Sequence, residues 1–266
     1  GFRQSGPSNL EVSKRQTIQG WRTWVEGLRL PEEVGRDAVV RAALTIKGLQ
    51  YEPTGAIISA STTSLPENKT GSKNRDRRLS WSRDVAFISY ALLSVDRPEE
   101  VEAYFDWIQD QSINHGTADI QLLNPVGEKI KTKSLELKGY RGRGPCVAGT
   151  EIKADLEIDA LGELVDAISI HHRRESDFPT SPQRWALVKE LADMAASRWR
   201  EENYGFWPSQ SHQEPNNYTY SKVQCWVALD RAIRMIEKAP DGDKEHITGS
   251  GAQNFWIETR DIIKEN

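Results

Sequence analysis

Apolar residues recur at three- and four-residue spacing in about eight segments of the chain, roughly 16–29, 34–50, 83–95, 98–113, 151–171, 181–200, 219–238 and 252–264. That period is the signature of amphipathic helices. Alternating patterns are few: GAIISA at 55–60 and ADIQLL at 118–123 read as brief extended pieces, too isolated to build a sheet. The pattern therefore predicts an all-α fold. Pro31, Pro98 and Pro182 stand near the first turns of three helices, and Asp96 and Ser181 are placed to cap two of them. Three long polar loops, at about 52–82, 114–150 and 201–218, separate helix pairs. Loops of that length in a compact domain are more often functional than decorative, and their alternation with helix pairs would gather them at one end.

The segment EIKADLEIDALGELVDAISIHH has two apolar sides. Ile152, Leu156, Ala160, Leu164 and Ala167 form one; Ile158, Leu161, Val165 and Ile168 form the other. A helix with two apolar faces needs cover on both, so this one is expected between two helical layers. The expected division is a polar tail or linker over residues 1–15 and one domain over 16–266.

Composition narrows the class. With 37% hydrophobic and 28% charged residues, the 266-residue chain is ordinary for a globular protein able to bury a sizeable core. A net charge of −4 offers no general attraction to phosphate backbones, so no nucleic-acid partner is expected. The basic stretch KTGSKNRDRR at 69–78 reads as a solvated loop, interrupted by Asp76. No apolar run is long enough to span a bilayer and the first residues are polar, so neither a membrane partner nor a signal peptide is expected. Two cysteines, Cys146 and Cys225, make no disulfide framework and no thiolate metal site. The tripeptides Asn68-Lys69-Thr70 and Asn217-Tyr218-Thr219 fit a glycosylation pattern common by chance, and a soluble, cytoplasmic protein is expected over a secreted one. No phosphate-binding loop, dinucleotide fingerprint or Ser/His/Asp motif appears, and neither a cofactor nor a metal is expected. His171-His172-Arg173-Arg174 closes a helix, where positive charge meets the carbonyl dipole. Of the nine tryptophans, Trp21, Trp24, Trp107, Trp199, Trp226 and Trp256 fall within helical patterns and are expected in the core.

Four segments carry a more specific signal: ALTIKGLQYEPTGAIISASTTSLPE at 43–67, SWSRDVAFISYALL at 80–93, GYRGRGP with LEIDALGELVDAI over 139–168, and NYTYSKVQCWVALDRAI at 217–233. In this order the chain, from about residue 20 onward, resembles the catalytic domain of glycoside hydrolase family 15, the glucoamylases, glucodextranases and trehalases. The resemblance implies an α/α barrel of six helical hairpins whose loops form a pocket for a terminal α-glucosyl unit. It also implies hydrolysis with inversion, in which one carboxylic acid protonates the leaving oxygen and a distant carboxylate activates water. Substrate contacts are implied at Trp81, Arg83, Asp84, Tyr140, Arg141, Trp207 and Lys222. A fixed guanidinium and carboxylate give directional bonds to vicinal hydroxyls, and an indole covers the C–H face of a sugar.

The chain departs from the family pattern in several places. Where the family carries N-W-D-Y-R, Asp76 and Arg78 match but Arg75 and Arg77 replace the two aromatics. Where it reads G-I-W-E, this chain has Gly205-Phe206-Trp207-Pro208, and proline cannot donate a proton. His212 and Glu214 lie in the same loop as candidate substitutes. Near the start of the 151–171 segment, Asp155 and Glu157 stand where amides are usual, while Asp159, Gly162 and Glu163 still match. Glu151 and Asp155 are one turn apart, a spacing open to acid–base work and equally to solvated surface charge. Asp84, Glu151, Asp155, His212 and Glu214 are thus the candidate catalytic groups. The family's base lies on a helix later than any here, so about eight helices imply an incomplete barrel whose open edge is covered by a second copy or a partner chain. Three functions remain open: a diverged protein with a sugar-type pocket, repurposed for binding or other chemistry; an inverting α-glucoside or trehalose hydrolase with a substitute acid; and a non-catalytic regulatory scaffold.

Overall fold

The computed structural model describes residues 7–32, 35–66, 69–70, 74–115, 123–126, 131–149, 157–174, 181–206, 215–239, 244 and 251–265. Among them are eight α-helices: α1 (Pro7–Glu26), α2 (Arg36–Leu49), α3 (Ser82–Ser94), α4 (Pro98–His115), α5 (Asp159–Arg174), α6 (Pro182–Arg198), α7 (Thr219–Lys238) and α8 (Ala252–Glu265). They match the eight predicted segments, with two shifts. Helix α1 starts at Pro7, inside the stretch read as a tail, and α5 starts at Asp159, so the carboxylates of Glu151 and Asp155 lie ahead of it and outside the described residues. Ser181 caps α6 as expected, its side chain accepting from Arg184 N at 3.1 Å. Asp96 is a left-handed turn residue instead, with φ 64°, and its carboxylate takes the guanidinium of Arg174. Pro31 lies ahead of α2, which begins at Arg36.

The last six helices form two rows. Helix α5 packs between α3 and α7 in an inner row, and α6 between α4 and α8 in an outer one, with each hairpin joining the rows. The two apolar faces of α5 are satisfied by this placement: Leu161, Leu164 and Val165 have no exposed surface, and Ile168 is buried as well. Truncating one such leucine to alanine costs about 2–5 kcal/mol, since the surrounding layers cannot collapse fully into the cavity. Gly162 sets the spacing of α5 and α7. A Cβ there would stand 2.0 Å from the carbonyl oxygen of Gln224 on α7. A smaller cluster of Leu28, Ala43 and Val95 joins α1 and α2 to the body. Trp107, Trp199 and Trp256 are buried as expected, whereas Trp21 is 39% exposed on α1, edge-on to Trp24.

The extended pieces are three antiparallel pairs inside the long loops: β1 (Thr63–Leu65) with β2 (Arg75–Asp76), β3 (Leu79–Trp81) with β4 (Leu123–Pro125), and β5 (Lys133–Leu135) with β6 (Cys146–Ala148). None of them was visible as a strand, because two or three residues carry no period. They bind the first two loops together. Ser64 Oγ accepts from Val147 N at 2.7 Å, Asn74 Nδ2 donates to the carbonyls of Arg143 and Pro145 at 2.9 Å each, and Asp76 accepts from Gly149 N at 2.8 Å. The third loop is pinched at its base, where Asn203 and Asn216 exchange backbone hydrogen bonds. The buried Asn203 Oδ1 also accepts from Gly205 N and Ser221 Oγ at 2.8 Å.

Candidate sugar site around Arg83

The strand β3 runs directly into α3, with Trp81 as the last extended residue, so Arg83 and Asp84 fall in the first turn of the helix. Arg83 is 6% exposed and points into a group of carboxylates supplied by α5 and the residues before it. Its Nη2 donates to Asp159 Oδ1 at 2.9 Å and lies 3.5 Å from Glu157 Oε2; its Nε is 3.9 Å from Glu163 Oε2. Its Nη1 donates to the carbonyl of Phe206 at 2.8 Å, and the guanidinium lies over the Phe206 ring, 5.2 Å from its centre. Trp81 Nε1 donates to the same Glu157 oxygen that faces Arg83. One arginine thus gathers the W-x-R-D segment, the start of α5 and the third loop.

Aromatic rings close the outer side. Phe206 meets Phe87 and Tyr220 edge-on at 6.1 and 5.3 Å. The Tyr220 hydroxyl donates to Glu163 Oε1 at 2.7 Å, and Tyr90 donates to Asp166 at 3.0 Å. The resulting electrostatics are uneven, because three carboxyls, the buried Asp159 and Glu163 and the largely buried Glu157, face one guanidinium. Burial pushes all three up from the usual carboxylate range, and repulsion from neighbouring carboxylates adds to the rise of Glu157 and Glu163. Arg83 opposes the rise. Glu163 goes furthest, to about 7, despite the hydroxyl of Tyr220 that favours its charged form.

The predicted site residues are distributed as follows. Trp81 and Arg83 meet through Glu157, and Asp84 lies beside them, half-buried, with no hydrogen bond or ion pair to the described residues. Tyr140 and Arg141 stack on one another, 5.3 Å from guanidinium to ring centre, in the exposed 139–146 turn anchored by Asn74. Lys222 lies over the ring of Trp199, 5.8 Å from its centre. Glu151, Asp155, Trp207, His212 and Glu214 lie outside the described residues. The recharged stretch alternates inward and outward. Asn74 and Asp76 are buried, and although burial alone would raise its pKa, Asp76 is held below the usual carboxylate value by hydrogen bonds from Arg78 and from the backbone N–H groups of Gly149 and Arg78. Arg75 and Arg77 are partly exposed, and Arg77 lies over the Trp81 ring at 5.8 Å.

The sequence reading missed Glu157, Glu163, Phe206 and Tyr220 as members of this site. A signal was present, since Asp159 and Glu163 are one turn apart on one helix face in a matched motif, and Tyr220 belongs to another.

The helical rows with loops collected over an arginine–carboxylate cluster define an α/α glycosidase-type protein. The glycosyl hydrolases family 15 model matches residues 33–265, and the chain belongs to that family. Similar proteins include a trehalase of Mycobacterium tuberculosis, 34% identical over 87% of this chain and 34% of that protein. A trehalase of Thermoplasma acidophilum is 31% identical over 83% of the chain and 37% of its own length. Trehalase 1 of Sulfolobus acidocaldarius is 33% identical over 86% and 40%. The chain spans about a third of the length of the first of these relatives. No solved structure matches.

Proposed function

We propose that the chain is a trehalase-like domain that recognises the terminal ring of an α-glucoside at Trp81 and Asp84, held in place by Arg83, and does not hydrolyse it through the family's standard acid. The hydrogen bond from Arg83 Nη1 to Phe206 O carries this reading. It ties the W-x-R-D segment to Phe206, which directly precedes Trp207-Pro208 in the chain, where the family carries its acid and where proline has no proton to give. A positioned general acid contributes about a hundred- to ten-thousand-fold in rate, and that factor is lost with the group. Arg83, spent on carboxylates and a carbonyl, is a positioning residue here. Asp84 carries the free hydrogen-bonding capacity for sugar hydroxyls.

A second reading rests on Glu157. Its carboxyl sits at the same motif, accepts from Trp81 and is raised above the usual range by burial, as a substitute proton donor would be. The two readings separate in one set of measurements: calorimetry with trehalose and maltose, and glucose release from both, for the wild type, Asp84→Ala, Pro208→Glu and Glu157→Gln. Binding by the wild type without glucose release, lost in Asp84→Ala, is the expected result. Glucose release that disappears in Glu157→Gln would put the hydrolase reading in its place, and a folded protein that binds neither sugar would remove both.

A further inference from the structure

The aromatic rings on the outer side of the site continue beyond it. Phe87 follows Asp84 by three residues on α3, which makes the two side chains neighbours on one helix face, and Phe87 is 45% exposed. From Phe87 the rings pass through Phe206 to Tyr220, with centres 6.1 and 5.3 Å apart and planes at 88° and 80°. Tyr220 is 38% exposed, and Val223, nearly one turn further along α7, is 48% exposed. An apolar strip thus leads from Asp84, the carboxylate assigned to the terminal sugar ring, across to α7. The polar atoms beneath the strip are turned inward and already engaged. The Tyr220 hydroxyl donates to Glu163, and Tyr90, edge-on to Phe87 at 6.0 Å, donates to Asp166. The guanidinium over Phe206 is held by Asp159 and by the Phe206 carbonyl.

We infer that the α-glucoside taken at this site carries an aromatic aglycone, which lies along Phe87, Phe206, Tyr220 and Val223. The inference rests on the glucoside reading above and names the other half of that ligand. A second sugar laid on the strip would exchange the water on its hydroxyls for carbon surface, and each hydroxyl left unpaired costs free energy. An aromatic ring has no such loss and gains by covering the same surface. The strip also suits a flat ring in particular, because its own rings meet edge to face and a further ring can join in the same geometry.

The test is calorimetry on the full chain with four probes: methyl α-glucoside, phenyl α-glucoside, trehalose and phenol. Phenyl α-glucoside should bind about tenfold or more tightly than methyl α-glucoside and trehalose, the gain expected from burying part of one ring. Phe87→Ser and Val223→Asn, at exposed positions, should each shrink that preference, with unfolding midpoints showing that both variants are folded. A preference that survives in both variants would place the aglycone elsewhere and overturn the inference. Equal affinity for the phenyl and methyl glucosides, or tighter binding of trehalose than of the phenyl glucoside, would overturn it and leave the glucoside reading intact. Binding of no glucoside would overturn both. Phenol displacing the phenyl glucoside at equal concentration would mean the strip takes any aromatic without its sugar, and a dimer in light scattering that Phe87→Ser dissolves would give the strip to a second copy; either result overturns the inference.

Discussion

Arg83 and Arg77 are near neighbours in the chain and occupy opposite settings. Arg83 is buried among Glu157, Asp159 and Glu163, its charge consumed by the fold, while Arg77 stands partly exposed on a loop with an excess of positive charge. The difference teaches what a guanidinium can do in each place. In the first, three elements are held in register at an energetic risk, since a buried charge left alone is far more costly than a buried pair is valuable. In the second, little stability is at stake, since a charge close to water is screened and only weakly coupled to the fold.

The contrast breaks most severely at Arg83 itself. Arg83→Met leaves three carboxyls buried without a counter-charge and should cost about 3–5 kcal/mol in denaturant unfolding at neutral pH. A loss below 1 kcal/mol would mean the cluster is open to water. The setting of Arg83 also depends on the close approach of α5 to α7, and Gly162→Ala would press a methyl group against Gln224 O. Overpacking of this kind should cost about 1–3 kcal/mol, visible as a lower unfolding midpoint; an unchanged midpoint would show that the helices separate freely.

A finer effect follows from Glu163. Its folded carboxyl is raised to about 7 from an ordinary 4.5, so the native state keeps a proton that the unfolded chain gives up. Its contribution to stability is complete below about 4.5 and is lost as pH rises through 7. Glu163→Gln should flatten that decline while keeping an acceptor for Tyr220. Unfolding midpoints of the two proteins between pH 4.5 and 7.5 check it, and parallel curves would assign the decline to other groups. Smallest of all, Arg77→Gln should move stability by no more than about 0.5 kcal/mol, as expected for a partly exposed side chain outside the core. A larger loss would make Arg77 part of the scaffold and dissolve the comparison.

Much of this fold was legible in the chain. All eight helices were anticipated, α7 and α8 to within a residue, since those two bury an apolar stripe with helical period. The double-sided pattern of the 151–171 segment pointed to cover on two sides, and α5 has it from α3 and α7 within the inner row and from α6 behind. The start of that helix was not legible, since Ile152 and Leu156 continue the period past the point where α5 begins at Asp159. Trp21 defeated the expectation of burial because an aromatic on a helical stripe is compatible with either state. Motif spacing grouped Trp81, Arg83 and Asp84 with Tyr140, Arg141 and Lys222; the folded chain joins Trp81 and Arg83 through Glu157 and gives Tyr140–Arg141 and Lys222 stacking contacts of their own, which no local pattern records.

The sequence by itself determined the helical class, the hairpin order and the family, since these depend on local period and on motifs that survive without knowledge of contacts. Tertiary structure alone decided the partners of Arg83. Asp159 is 76 positions away and Phe206 is 123, and nothing local records which distant carboxylate or carbonyl will meet a guanidinium. It also decided that the first two long loops interlock, Ser64 meeting Val147 and Asp76 meeting Gly149, because hydrogen bonds between segments so far apart in the chain leave no local trace.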